Sequence, residues 1–129
     1  MHPARWSTPP RAIIYAASSY ALALLENIVH WRIGKTPPTL RYIEIEVPDD
    51  VGVTHIDAMS APGWDDRLYR SSQIAGNRWY DSGESAIARV PSVLSPFDWN
   101  FLINQRHDDF ARLKVIAEGN TRIDTRLVR

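Results

Sequence analysis

Residues 5–31 read RWSTPPRAIIYAASSYALALLENIVHW, and within them an arginine, a tyrosine and a glutamate are spaced so that a turn, a strand and a helix can bring them together. Pro9 and Pro10 are a turn signal, and the β-branched Ile13 and Ile14 leading into Tyr15 predict a short buried strand over AIIYAA. Ser18 and Ser19 end that run. Ser19 predicts a helix N-cap, because its hydroxyl can accept a hydrogen bond from an otherwise unpaired amide, and the following YALALLENIVHW is rich in strong helix formers.

At about 100° per residue, Leu22, Leu25 and Val29 fall on one apolar stripe, and Glu26 projects from its edge. A half-buried carboxylate is costly without a partner. Glu26 is therefore expected against a cation such as Arg5 or His30, or facing a ligand that develops positive charge. A surface pair with His30 at i+4 is the plain alternative. Taken singly, Arg5 also reads as a surface arginine and Tyr15 as a core tyrosine.

A chain of 129 residues suits one domain with a single core. A hydrophobic content of 44% and a charged content of 23% belong to a soluble globular chain. Fifteen basic side chains balance fifteen acidic ones, so net charge offers no case for direct nucleic-acid binding or for an anionic membrane surface. A local basic cluster remains compatible with that balance. The chain has no cysteine, which excludes disulfides, a thiolate nucleophile and sulfur-ligated zinc. MHPARWSTPPR has no apolar core of a signal peptide and no run approaches a membrane span, so the expected location is cytoplasmic.

After the first helix, Gly34 and Pro37-Pro38 read as a connection. LRYIEIEV alternates with period two, predicting a half-buried strand with Ile43, Ile45 and Val47 inward and Glu44 and Glu46 solvated. VTHID predicts a short further strand. Ser72 is the next N-cap candidate, and QIAGNRWYDSG predicts a helix ending near Gly83, with Trp79 in the core and Gly76 marking close backbone packing. AIARVPSVLSP predicts a strand broken by Pro91, at an edge or a bulge. RLKVIAEGNTRIDTRLV predicts a β-hairpin turning at Gly119-Asn120. The four histidines show no metal-ligand spacing, and no metal is expected.

These strings taken together, RWS through IIYAASSYALALLENIVHW, then YIEIEVPDD, SQIAGNRWYDSG, VPSVLSPFDWNFLIN and HDDF, resemble the RES domain. That family is named for an arginine, a glutamate and a serine and is found as the toxin of bacterial toxin-antitoxin pairs. The resemblance implies an α+β fold like that of ADP-ribosyltransferases, with a twisted, mainly antiparallel sheet around a cleft and flanking helices. It implies NAD as substrate rather than resident cofactor, cleaved at the nicotinamide–ribose bond with water or phosphate as acceptor. Glu26, Arg5 and Tyr15 match the catalytic positions. Arg5, Tyr15, Ser92 and Asn100 would contact NAD, with Asn104 as an alternative to Asn100. By its residues alone Ser92 is equally a turn serine after Pro91, and it lacks the GxSxG setting of a hydrolase nucleophile.

The resemblance also implies a helix-turn-helix antitoxin of the Xre type as partner and leaves room for a homodimer within that complex. Transfer of ADP-ribose to a protein is the enzymatic alternative. Family members usually carry a further strand and a glycine-rich approach before the arginine, whereas Arg5 here is preceded by four residues. That departure admits a third reading, a non-catalytic remnant acting as an interaction module.

Overall fold

The computed structural model of the chain describes residues 4–29 and 39–128. The predicted strand is β1 (Ile13–Ala17) and the helix after it is α1 (Tyr20–Ile28). Ser19 caps α1 as expected, accepting from the Leu22 amide at 3.1 Å with an extended backbone (φ −145°, ψ 158°). The chain continues through β2 (Leu40–Glu46), β3 (Val53–His55), α2 (Arg70–Ser82), β4 (Ile87–Pro91), β5 (Trp99–Asn104) and β6 (Lys114–Thr121). Short 3-10 turns follow β5 (Asp108–Arg112) and β6 (Thr125–Val128). The fold is α+β with mainly antiparallel pairing, as the sequence predicts. No helix of the described residues is long and apolar enough to cross a membrane.

Four strands form one sheet in the order β1-β5-β4-β3, antiparallel except where β3 pairs with β4. α2 supplies the crossover that a parallel pair needs. Side chains on alternate positions feed two cores. One face contributes Ala88, Val90 and Leu102 to a cluster with Trp6, Ile56, Ala61 and Trp79. The other contributes Ile87 and Ile103 to a cluster with Val51, Ala86, Ile45, Phe110 and Leu113. Because β4 lies between β5 and β3 in the sheet, Pro91 does not mark an edge strand. It is the last residue of β4, where the missing N–H no longer matters to the ladder.

The C-terminal stretch is also not a hairpin. Residues 114–121 form one continuous strand, β6, paired with β2 in a separate two-stranded sheet. Gly119 lies opposite Tyr42, and a β-carbon there would sit 2.9 Å from the Tyr42 ring. That glycine serves close approach of an aromatic side chain rather than a turn. A bulge at Ile116 shifts the register, since Glu44 pairs with Ala117 and Ile45 with Val115. Ile45 is half-buried against the Val51 cluster, while Ile43 and Val47, expected inward, are exposed. The apolar stripe of α1 is likewise narrower than predicted. Leu22 alone is buried, and Leu25 and Val29 face outward.

α2 begins earlier than the sequence suggests. Its N-cap is Tyr69, and Ser72 lies inside the helix, fully buried. Gly83 closes the helix in the left-handed conformation (φ 66°), as C-terminal glycines do. Trp79 is 2% exposed and donates its indole N–H to Ser85 Oγ at 3.0 Å, which satisfies the one polar group of a large core side chain. Gly76 meets the N-terminal segment: a β-carbon there would lie 1.7 Å from the Trp6 carbonyl oxygen. Gly76→Ala should therefore destabilise the protein by about 1–3 kcal/mol, since overpacking against backbone outweighs the roughly 1 kcal/mol of helix propensity gained. Urea unfolding measures this directly, and a variant as stable as the parent would show that the approach is not close.

Candidate active site

A single rung of the sheet places three of the five predicted site residues. Asn100 on β5 pairs with Ala17 on one side and Val90 on the other. Two residues after Ala17 the Ser19 cap starts α1, which carries Glu26 one to two turns later. Two residues after Val90 comes Ser92. Both flanks thus return to Asn100. Its Nδ2 donates to Glu26 Oε1 at 2.8 Å, and Ser92 Oγ donates to the same oxygen at 3.0 Å.

Ser92 is 3% exposed, and besides donating to Glu26 its hydroxyl oxygen accepts from the amides of Leu94 and Ser95, each at 3.2 Å. Its one hydrogen and both lone pairs are engaged. An ionised carboxylate only accepts, so it fixes the Asn100 amide with nitrogen toward Glu26 and oxygen away. That oxygen, Oδ1, is buried and has no partner among the described residues. Glu26 Oε2 takes no hydrogen bond among them either. Asn104 plays another part. It is buried, and its Oδ1 accepts from the Arg106 amide at 2.9 Å, which holds the turn after β5.

Arg5 and Tyr15 form a second group on the same face of the sheet. Tyr15 lies opposite Leu102, and Trp6, next to Arg5, packs in the cluster containing Leu102 and Val90. The Tyr15 hydroxyl and Ser7 Oγ are 2.5 Å apart. The Arg5 guanidinium does not pair with Glu26. Its Nη1 donates to the carbonyls of Trp64 (3.2 Å) and Asp66 (3.4 Å), and it lies over the Tyr69 ring, 4.4 Å from the centroid. The other cation named for Glu26, His30, lies outside the described residues, as do His2, Gly34 and the Pro37-Pro38 pair. His107 has a local role, its Nδ1 accepting from the Asp109 amide at 3.0 Å to cap a 3-10 turn.

Sequence reading missed the residues that hold these groups: Ser7 against Tyr15, and Tyr69, Ser72 and Gln73 around Arg5. Gln73 Nε2 donates to the Ala4 carbonyl at 2.8 Å, and Ser72 Oγ donates to the Arg5 carbonyl. The polar run RSSQ just before the apolar positions of α2 is the only trace these contacts leave in the sequence. Among the described residues no three His, Asp or Glu side chains converge as metal ligands would.

Although Tyr15 as a residue is 42% exposed, its hydroxyl end is turned inward. Burial pushes the phenol above the usual tyrosine range, and hydrogen bonds with Ser7 and the Trp6 backbone pull it part of the way back. The folded protein therefore holds this proton more tightly than the unfolded chain. Below about pH 10 both states are neutral at Tyr15 and nothing changes; above it, stability falls as pH rises toward the folded value. Denaturant midpoints at pH 8 and pH 11 should drop more for the parent than for Tyr15→Phe. Equal drops would place the phenol in solvent.

Residues 1–126 match the RES domain. The chain is 39% identical to the Prs ADP-ribosylating toxin of a Sphingobium species, over 97% of this chain and 80% of that protein. It is 35% identical to Toxin Res of Pseudomonas putida, over 91% of this chain and 81% of that one. Toxin Res of Yersinia enterocolitica is 32% identical, over 82% and 70%. With a domain match spanning nearly every residue and relatives of this similarity named as toxins, the chain belongs to the RES domain family.

Proposed function

We propose that this protein is the toxin of a toxin-antitoxin pair and that it breaks the nicotinamide–ribose bond of NAD, depleting the NAD of the cytoplasm in which it acts. The observation that carries this reading is the Glu26 carboxylate, gripped through Oε1 by Ser92 and Asn100 with Oε2 unbonded among the described residues. Breaking that bond returns its electrons to a cationic nicotinamide, which leaves as a neutral base, so no strong acid is needed for the leaving group. Positive charge instead develops on the ribose. A carboxylate already held in place meets that charge without reorganising, and help of this kind is usually the largest catalytic contribution.

The other residues take supporting parts. Ser92, with its hydroxyl fully engaged, orients Glu26. Asn100 likewise orients Glu26 through its amide nitrogen, while its Oδ1 is buried with no partner among the described residues. Arg5 meets the pyrophosphate, whose paired oxygens suit a planar fork of donors. Tyr15 stacks on nicotinamide or ribose with the exposed part of its ring.

Transfer of the ADP-ribosyl group to a protein is the second reading, supported by the name of the Sphingobium relative. It breaks the same bond and differs only in the acceptor. Labelled NAD incubated with the protein and a cell lysate separates the two, free ADP-ribose or its phosphate ester marking cleavage and a labelled band marking transfer. A helix-turn-helix antitoxin is the proposed protein partner, and copurification with the product of the neighbouring gene, followed by mass determination, tests it.

Glu26→Gln keeps the acceptor for Ser92 and Asn100 while removing the charge. It should lower nicotinamide release at least about a hundredfold with an unchanged melting curve. Turnover near that of the parent would refute the role of Glu26. Arg5→Lys should weaken NAD binding by about tenfold, because a point charge does not replace a bidentate fork; calorimetric titration with unchanged affinity would remove Arg5 from the site.

A further inference from the structure

We infer that Tyr69 is a positioning residue that presents the Arg5 guanidinium to the anionic part of the substrate, an inference that rests on the NAD reading above. Tyr69 is the one non-glycine residue among those described with positive φ (φ 62°, ψ 13°). An L side chain seldom adopts this left-handed conformation, which glycine reaches freely. The position is the N-cap of α2, where a serine or aspartate would have satisfied an open amide, yet Tyr69 makes no capping hydrogen bond with its side chain. Neither backbone ease nor helix capping accounts for a tyrosine here.

What the ring does is lie beneath Arg5, 4.4 Å from the guanidinium carbon to the centroid. The left-handed turn is what brings it there. Ser72, one turn into α2, ties the two residues together by backbone, its hydroxyl donating to the Arg5 carbonyl and lying 3.1 Å from that of Tyr69. The guanidinium is then bounded by the ring and by the Trp64 and Asp66 carbonyls. All of these partners fix its orientation. None neutralises it, and Arg5 makes no ion pair among the described residues. Arg11, by contrast, is committed to Asp81 through two hydrogen bonds at 2.9 and 2.7 Å. Orientation without charge compensation is what an anion-binding arginine requires, since a carboxylate partner would have to be displaced before a phosphate could enter.

The test is NAD affinity by calorimetry and steady-state nicotinamide release, for Tyr69→Phe, Tyr69→Leu and Tyr69→Gly in both the parent and the Arg5→Lys background. Tyr69→Phe keeps the ring and should stay within about twofold of the parent. Tyr69→Leu should raise KM for NAD by about tenfold, the size expected for a partly desolvated cation–π contact, with kcat altered much less. Tyr69→Gly frees the backbone and should melt no lower than the parent while showing the same rise in KM, which separates loss of the ring from loss of the fold. In the Arg5→Lys background the Leu and Gly changes should add less than about twofold. Parent-like KM in the Leu and Gly variants, or the full tenfold rise without Arg5, would overturn the inference while leaving the NAD reading intact. Failure of the parent protein to bind NAD would overturn both.

Discussion

Hydrogen-bond register in an antiparallel sheet is all or nothing, because a slip by one residue turns every side chain to the opposite face. Here one register line, Ala17 against Asn100 against Val90, decides whether the site exists. If β5 moved by one position relative to β1, Asn100 would turn to the Phe101 side of the sheet, and Glu26 would lose one of its two donors. The pairing is pinned from both faces, since Leu102 and Ile103, adjacent on β5, are both essentially excluded from water in separate clusters. A strand buried on both sides tolerates no slippage. The carboxylate therefore inherits its placement from the most constrained part of the molecule.

The arginine half is built by different physics. Its segment, Ala4 to Ser7, is held against α2 by the absence of a side chain at Gly76, by the Gln73 and Ser72 side chains on its carbonyls, and by the buried Trp6 indole, stacked 6.0 Å from that of Trp64. These are contacts made by side chains rather than ladder hydrogen bonds. Changes in α2 therefore reach Arg5 first, while changes in β4 or β5 reach Glu26 first. Tyr15, on the edge strand and bonded to Ser7, is the link between the halves.

Much of this was legible in residues 5–31 because local signals and tertiary structure agree there: the serine cap, the β-branched strand and the helical spacing of Glu26 all have short-range causes. The grip on Glu26 was not legible, since Ser92 and Asn100 are 66 and 74 residues away and only the strand order brings them close. The C-terminal stretch misled for a related reason. Gly119-Asn120 carries the composition of a turn, but the glycine answers to the Tyr42 ring on β2, a partner no local pattern reveals. Ser72 misled in the same way, its capping chemistry being used on the Arg5 carbonyl rather than on the helix start.

The two halves also differ in what they leave unsatisfied, and this bears on which part of a substrate each can meet. Around Glu26 the surplus is acceptor capacity: the second carboxylate oxygen, unbonded among the described residues, favours a ligand that carries hydroxyl hydrogens and gains positive charge. Around Arg5 the surplus is uncompensated positive charge, which favours an anion. On the proposed reading one ligand meets both, and it is then anionic at one end and hydroxylated, with cationic character, at the other. A dinucleotide with a pyrophosphate and a quaternary nicotinamide on ribose meets that description, and a simple phosphate ester or a neutral sugar does not.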